Sequence, residues 1–242
     1  MRQRRPAFTL VELLVVIGII ALLIAILLPS LAKARFQSVL TVCAERERQI
    51  IMACHMYAQE NRGFFPRHDF DSGGNLWDVG VPFYDILTDR FKLPHQMLFC
   101  PDSDPRLADT LSRTYLPQFW RIGYSYWVPR VNHGNQIPPD PPSGYYQVYD
   151  TVIFRGPRQM ADRYATFNPI LTDSVITDPN ASPTADLGKN SLVLVTGDAW
   201  TPHRRRDGTL AALNAAWADG HVERIDGHDA RARYKGNYLN WR

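Results

Sequence analysis

The sequence predicts an α+β protein in which one long N-terminal helix packs on a small antiparallel β-sheet domain. Three observations lead to this class. Residues 8–28 form an apolar run, and helix-forming residues without glycine or proline follow from residue 31 to residue 61. Beyond Gly63 the chain changes to short aromatic and β-branched runs separated by proline and glycine, which is typical of strands and turns. Near the C-terminus, Asp219-Gly220 separates two short apolar runs, as in a β-hairpin.

The first half of this helix is predicted to span a membrane. Phe8 to Leu28 holds 18 apolar residues among 21 and follows the basic residues Arg2, Arg4 and Arg5. A helix of this length rises about 32 Å, close to the thickness of the bilayer's hydrocarbon core. Because basic residues before a span favour the cytoplasmic side, the N-terminus is expected there. The chain after Pro29 is then expected in the periplasm or its equivalent.

Glu12 is the one carboxylate inside the apolar run, and we interpret it as a functional residue. A carboxylate within a span costs about 2 to 3 kcal/mol on insertion scales, so it needs a partner. A removed secretory signal peptide and a plain membrane anchor are the ordinary alternatives. A signal peptide has small residues after its apolar run. Here the run continues through Pro29 into a helical segment, and the small residue Ala7 precedes it instead.

The segment from Arg5 to Leu14, RPAFTLVELL, resembles the cleavage and methylation segment of type IV prepilins and type II secretion pseudopilins. The resemblance implies that a prepilin peptidase cuts between Ala7 and Phe8 and methylates the new amine of Phe8. It also implies that Glu12 meets the N-terminal ammonium of a neighbouring subunit. Opposite charges attract strongly in a low-dielectric bundle, and each lowers the burial cost of the other. Ala7 departs from the family, which usually has glycine there.

This resemblance implies a pilin-like division of the chain. Residues 1–7 are the leader peptide, 8–29 the transmembrane and assembly helix, 30–62 its continuation packed on the globular domain, and 63–242 an extracytoplasmic β-rich domain. A helix kink is expected at Pro29, because proline removes a backbone donor and crowds the preceding turn. Pilin-like proteins resemble this chain in having a kink at the corresponding place.

The second half of the helix carries an apolar stripe with helical spacing, which predicts one buried face. Its members are Phe36, Leu40, Cys43, Ile50, Cys54 and Tyr57. Glu47 interrupts the stripe, so we expect this half to expose charge while it packs on a domain. The helix is predicted to stop at Asn61-Arg62-Gly63, with Gly63 able to take a left-handed conformation.

The β-rich domain is expected to form an antiparallel sheet. Candidate strands are Tyr124–Val128, Gln147–Phe154 and Leu192–Thr196, and residues 129–142 form a proline-rich loop. The C-terminal hairpin is predicted from residues 213–218 and 221–225. Asp219-Gly220 suits a two-residue type I′ turn, which places Trp217 opposite Val222.

A second resemblance lies in this hairpin. Residues 214–222, NAAWADGHV, resemble the C-terminal segment of a planctomycete-type prepilin-like family. Residues 57–66 and Phe99-Cys100-Pro101 resemble it too. That family commonly has a histidine separated from the Asp-Gly pair by nine residues, and this chain has Thr209 in that position. The nearest upstream histidine, His203, lies further away, so we assign it no special role.

The three cysteines leave the redox state open. An extracytoplasmic compartment permits disulfides. Cys43 and Cys54 lie about 16 Å apart along one helix, whereas the Cα atoms of a disulfide approach within about 7 Å. Either of these two cysteines can pair with Cys100, but not both. A disulfide between Cys43 and Cys100, which is the favoured pair, one between Cys54 and Cys100, and the absence of any disulfide therefore remain open.

No catalytic residue and no metal site are expected from sequence motifs. His203, His221 and His228 lie near Asp198, Asp219 and Asp229, but the chain lacks H-E-x-x-H, paired C-x-x-C and G-x-S-x-G motifs. No cofactor is expected. Calcium is the alternative, because residues 69–80 start like a calcium loop, although Gly73 and Gly80 occupy positions that need oxygen ligands.

We therefore expect a non-enzymatic structural subunit of a type II secretion-like pseudopilus or a type IV pilus. Its expected partners are prepilin peptidase, other pilin or pseudopilin subunits, the inner-membrane assembly platform, and membrane lipid before assembly. A net charge of +3 gives no reason to expect a nucleic-acid partner. The alternative is an unprocessed, membrane-anchored module that binds polysaccharide. Its aromatic cluster, which includes Tyr124, Tyr126 and Trp127, would then be a stacking surface instead of core.

Overall fold

The computed structural model of the protein describes residues 9–67, 78–102, 119–128, 145–148, 152–155, 157–162, 165–166, 168–173, 203, 210–227, 232–234 and 239–240. The helices are α1 (Leu10–Glu60) and α2 (Val81–Asp85), with a π-helical turn at Ile86–Arg90 and a 3₁₀ turn at His95–Leu98. The strands are β1 (Asp78–Gly80), β2 (Phe119–Arg121), β3 (Tyr124–Tyr126), β4 (Tyr145–Val148), β5 (Val152–Arg155), β6 (Pro169–Asp173), β7 (Ala212–Trp217), β8 (Val222–Asp226), β9 (Ala232–Tyr234) and β10 (Leu239–Asn240).

The long N-terminal helix and the small antiparallel sheet confirm the predicted α+β class. Strands β3, β6, β7 and β8 lie side by side in that order, and each pair is antiparallel. Three further pairs, β1 with β2, β4 with β5 and β9 with β10, are also antiparallel. By residue contacts the chain divides into two units, residues 1–39 and residues 40–242.

The first unit contains the apolar part of α1. An 18-residue window of this helix has a mean hydropathy of 3.2 and no buried residue, so α1 is long and apolar enough to cross a membrane. The helix is continuous through Pro29. Beside the proline, the Ser30 hydroxyl donates to the Leu27 carbonyl oxygen at 2.9 Å. The kink at Pro29 stays a prediction.

The end of α1 differs in one detail from the expected stop. Both Arg62 (φ 57°) and Gly63 (φ 84°) are left-handed, and the Gly63 N–H donates to the Ala58 carbonyl oxygen at 2.8 Å. This six-to-one hydrogen bond defines a Schellman motif in which the first left-handed residue is Arg62. Arginine therefore occupies the position that helix ends usually give to glycine.

In the second unit, α1 contributes one face to the core. Leu40, Cys43, Ile50 and Cys54 are buried, which confirms most of the predicted stripe. Glu47 is also fully buried, so its side chain belongs to the buried face instead of interrupting it. The expected exposed charge lies beside the stripe, at Glu45 and Arg48, whose side chains are 53% and 50% exposed.

The aromatic residues of β3 belong to the core of the same unit. Tyr124, Tyr126 and Trp127 are all fully buried. The ring of Tyr126 lies 4.3 Å from that of Phe83, and the Trp127 indole N–H donates to the Thr172 hydroxyl at 3.0 Å. These three side chains therefore belong to the core and cannot stack on a sugar. The core interpretation of the aromatic cluster holds for them, and the stacking surface does not.

The C-terminal hairpin is confirmed, but its register is shifted by one residue. Ala216 pairs with Val222, where Trp217 was expected. The Gly220 N–H donates to the Trp217 carbonyl oxygen, and Gly220 alone in the turn has a positive φ, of 90°. This is a four-residue turn followed by a bulge at glycine instead of a two-residue type I′ turn. The bulge adds the residue that shifts the pairing.

Two other predictions about the sheet differ from the structure. Gln147–Phe154 is not one strand, because Gln147 pairs with Ile153 across the antiparallel pair β4 and β5. The predicted strand Leu192–Thr196, the proline-rich loop 129–142 and most of the calcium-like loop 69–80 lie outside the described residues.

Candidate functional site

The N-terminal end of α1 is the first candidate site. The structure describes Glu12 but not Ala7 or Phe8, which lie outside the described residues. Glu12 accepts hydrogen bonds from the backbone N–H and the hydroxyl of Thr9, both at 2.8 Å. The Glu12 N–H in turn donates to the Thr9 hydroxyl oxygen at 3.2 Å. This reciprocal arrangement is a capping box, which the Thr-x-x-Glu spacing before an apolar run could have predicted.

The side chains that follow Glu12 have no cover of their own. Every large apolar side chain from residue 10 to residue 28 is exposed, with Leu10 at 77% and Ile26 at 66%. An apolar surface of this extent requires lipid or the apolar faces of other helices. The site therefore combines a carboxylate at the helix start with an uncovered apolar helix.

Four buried side chains from distant parts of the chain form the second candidate site, which we call the thiol cluster. Its members are Cys43, Cys100, Asp173 and His203, and their ligand-type atoms all lie within 4.8 Å of one another. Cys43 comes from the second half of α1, Cys100 follows the 3₁₀ turn, and Asp173 ends β6. His203 has a positive φ of 58°, and its backbone N–H donates to Asp102 at 2.8 Å.

The contacts inside the thiol cluster are short. The Cys43 Sγ lies 3.0 Å from Asp173 Oδ1, and the Cys100 Sγ lies 3.1 Å from His203 Nε2. The second ring nitrogen, His203 Nδ1, is 3.2 Å from Asp173 Oδ2 but is not aligned for a hydrogen bond. Both carboxylate oxygens and both ring nitrogens therefore face other members of the cluster.

Neighbouring residues hold Asp173 in position. The Asn214 backbone N–H donates to Asp173 Oδ2 at 2.7 Å, and the Asn214 side-chain amide donates to the Leu40 carbonyl oxygen at 3.3 Å. The Tyr124 hydroxyl lies 3.6 Å from Cys43 Sγ. The strands β3 and β7, which flank β6, thus supply contacts that hold residues of the cluster in place.

Burial and close charges change the acidity of these groups. Burial raises the pKa of Cys43 well above its usual value, and the nearby Cys100 and Asp173 add to this effect. Burial opposes ionisation of Cys100 too, but hydrogen bonds from Cys43 and His203 outweigh it and lower the pKa of Cys100. Burial also disfavours a charged His203, yet Asp173 and Cys100 raise the pKa of His203 to about 10. The acid–base behaviour of each of these groups therefore depends on the others in the cluster.

Glu47 lies one helical turn after Cys43 and faces the same side of α1. Among the described residues, neither of its carboxylate oxygens has a hydrogen-bond partner. Burial, and then the negative charges of Asp173 and Cys100, raise the pKa of Glu47 well above its usual value. An unpartnered buried carboxyl group beside two thiols and an aspartate is costly unless a cation or a proton compensates it.

Cys100, His203 and Asp173 also have the order of a nucleophile, a base and an orienting carboxylate. Cys100 is only 2% exposed, however, and His203 and Asp173 are fully buried. A substrate carbonyl cannot reach a nucleophile in such a position. The arrangement therefore favours a structural role, such as holding a metal ion, over catalysis.

The thiol cluster was not predicted from the sequence, which led us to expect no metal site. His203 was assigned no special role, and the structure places its side chain within the cluster. A disulfide between Cys43 and Cys100 was left open, and the structure brings the two residues together as free thiols. Consecutive members of the cluster are 30 to 73 residues apart in the sequence, so no short motif contains two of them. The one sequence signal was the resemblance around Phe99-Cys100-Pro101.

The hairpin turn contributes no further site. Asp219 and Gly220 lie in the turn, as predicted. The His221 ring stacks on the Trp217 indole with centroids 4.7 Å apart, and Asp219 accepts from the His221 backbone N–H at 3.0 Å. Hydrogen bonds from His221, opposed by slight burial, lower the pKa of Asp219. These contacts account for the three side chains as parts of a turn.

Comparison with known proteins finds a match at the N-terminal end of the chain, which contains the first candidate site. No curated protein and no solved structure matches the chain. Residues 2–28 match the family model described as the prokaryotic N-terminal methylation motif. The match includes Ala7, Phe8 and Glu12, and stops one residue before Pro29. It supports the resemblance of this segment to type IV prepilins and pseudopilins.

Proposed function

We propose that the chain is a structural subunit of a type II secretion-like pseudopilus or a type IV pilus. The observation that supports this most is the position of Glu12 within the matched methylation motif, at the start of a fully exposed apolar helix. Lipid covers that helix before assembly, and neighbouring helices cover it in the fibre. The subunit performs no catalysis in this role.

Processing precedes assembly in the proposed sequence. Prepilin peptidase removes residues 1–7 and methylates the amine of Phe8. The inner-membrane assembly platform then moves residues 8–29 from the bilayer into a bundle with other subunits. Residues 30–62 continue the helix into the domain formed by residues 63–242. Because the leader is basic, this domain faces the periplasm or its equivalent.

In the fibre, Glu12 exchanges its partner. In the single chain the carboxylate accepts two hydrogen bonds from Thr9. In the fibre it meets the methylated ammonium of Phe8 from another subunit, which adds a charge that Thr9 lacks. A charged hydrogen bond is roughly twice as strong as a neutral one, so the exchange favours assembly.

Substitutions at Glu12 separate the charge from the helix cap. Glu12→Gln keeps an oxygen that can accept from Thr9, because glutamine also serves in a capping box. We expect this variant to insert and to be processed, but to be at least tenfold depleted from sheared fibres. Glu12→Leu should behave in the same way. Glu45→Gln, which changes an exposed carboxylate on the same helix, is the matched control and should assemble normally.

The alternative function is a membrane-anchored module whose N-terminus stays intact. N-terminal sequencing and intact mass of the protein from cells with the peptidase distinguish the two functions. A chain that starts at methylated Phe8 supports the subunit. An intact Met1, together with normal behaviour of Glu12→Gln, would contradict it.

A further inference from the structure

We infer that the thiol cluster of Cys43, Cys100, Asp173 and His203 is a binding site for one structural zinc ion. The four side chains supply two sulfurs, one imidazole nitrogen and one carboxylate oxygen within 4.8 Å of one another. Zinc in structural sites binds four such ligands with bond lengths of about 2.0 to 2.3 Å. Ligand atoms placed at these distances in a tetrahedron lie about 3 to 4 Å apart. The 3.0 Å from Cys43 Sγ to Asp173 Oδ1 and the 3.1 Å from Cys100 Sγ to His203 Nε2 are close to this spacing.

The donor atoms select the metal. Two sulfur ligands exclude calcium and magnesium, which take oxygen ligands. A mixture of sulfur, nitrogen and oxygen suits the intermediate softness of zinc better than that of copper(I), which prefers sulfur. Four protein ligands and complete burial leave no open position for a substrate, so the ion is structural and not catalytic.

The buried polar groups around the cluster fit a bound cation. His203 Nδ1 and both oxygens of Glu47 lack hydrogen-bond partners among the described residues. Two thiolates balance the charge of one zinc ion, and Asp173 adds one negative charge that the Asn214 N–H contacts at 2.7 Å. A cation in this position would also attract the Glu47 carboxyl group.

The zinc ion would link the second half of α1 to the sheet, both of which lie within residues 40–242. Cys43 and Asp173 are 130 residues apart, and Cys100 and His203 are 103 residues apart. A metal ion that joins such distant positions stabilises the fold strongly, because it closes long loops and binds only the folded chain. This role does not depend on the proposed function in a fibre.

The test uses the full chain in detergent micelles, purified without chelator. Elemental analysis is expected to give about one zinc ion per chain. Denatured protein should have all three cysteines open to alkylation without reductant, as the structure holds three free thiols. After removal of zinc, titration with cobalt(II) alone should give the thiolate charge-transfer band and the intense visible bands of a tetrahedral site.

Variants assign the ligands. Cys43→Ser and Cys100→Ser should each lower bound zinc at least tenfold. Cys54→Ser changes a buried thiol on the same helix outside the cluster and should keep the full amount. His203→Cys retains four ligands, so it should still bind cobalt(II), with a stronger charge-transfer band from the third thiolate. This variant keeps the test decisive if the serine variants do not fold.

Three results would overturn the inference. One is a chain with a single alkylatable thiol and a mass lower by two hydrogens, which would show a disulfide between Cys43 and Cys100. Another is bound zinc that persists in the folded Cys43→Ser and Cys100→Ser variants. The third is a folded chain with three free thiols that takes up neither zinc nor cobalt.

Discussion

Glu47 lies one helical turn after Cys43, and both side chains are completely buried against the sheet domain. The folded-state pKa of Glu47 is raised, mainly by burial. The unfolded chain therefore releases this proton at lower pH than the folded chain. The folded state consequently loses stability as the pH rises above the usual value of 4.5, by up to about 1.4 kcal/mol per pH unit until the folded pKa is reached.

Glu47→Gln should remove this pH dependence. In chelator-treated protein, the variant should melt at a higher temperature than the parent at about pH 8, and the gain should shrink towards about pH 5. Thermal unfolding followed by circular dichroism at several pH values measures it. Glu45→Gln, at an exposed position, should show no such trend. A gain that is equal at every pH would mean that the carboxyl group is not neutral in the folded state.

Gly123 holds the segment of Cys100 close to the sheet. A Cβ atom on this residue would lie 2.8 Å from Phe99 Cα and 3.2 Å from the Cys100 nitrogen, both of which are backbone atoms. Gly123→Ala should therefore destabilise the domain by about 1 to 3 kcal/mol, because backbone must shift to admit the methyl group. Chemical unfolding measures the change. Gly18→Ala, where nothing lies within 4 Å, is the control, and an equal effect there would contradict the explanation.

Arg62 occupies the left-handed position of the Schellman motif at the end of α1. Arg62→Gly should stabilise the domain by about 0.5 to 1 kcal/mol, since glycine adopts this conformation without strain. Arg62→Ala removes the same side chain beyond Cβ and should not stabilise. The free energy of unfolding of the two variants separates backbone strain from loss of side-chain contacts. Equal free energies of unfolding for Arg62→Ala and Arg62→Gly would contradict the explanation by backbone strain.

Gly220 is required by the turn conformation and not by space. Its φ is 90°, and nothing lies within 4 Å of a Cβ atom built there. Gly220→Ala should cost about 1 kcal/mol, whereas Gly220→Asn should cost less, because asparagine tolerates left-handed backbone. Thermal melts of both variants test this order. A similar loss of stability in Gly220→Ala and Gly220→Asn would mean that the presence of a side chain, and not the backbone conformation, causes the loss.

Local patterns were sufficient to predict the helix, its buried stripe and the hairpin. These features depend on residues that are close in sequence, such as Leu40 with Cys43 or Asp219 with Gly220. The register of the hairpin was wrong by one residue, because the choice between a two-residue turn and a bulged turn depends on backbone angles. The residues of β4 and β5 were predicted as one strand, because both short strands carry the same aromatic and β-branched pattern.

The thiol cluster could not be predicted in this way. Three of its members lie on a helix, after a 3₁₀ turn and at the end of a strand, and the fourth is His203, so only the fold brings them together. The buried Glu47 was misread because a carboxylate on a helix normally faces solvent. The N-terminal segment left a clearer sequence pattern than the thiol cluster, since Ala7, Phe8 and Glu12 lie within one short motif.

The capping box at the start of α1 limits what the contact between Glu12 and a neighbouring amine contributes. Thr9 already supplies two donors to the carboxylate in the single chain. Under the proposed function, the driving force for joining a fibre is therefore a difference between two hydrogen-bonded states of Glu12, not the full strength of a new ion pair. A subunit that leaves such a fibre would regain the two Thr9 hydrogen bonds to its own Glu12.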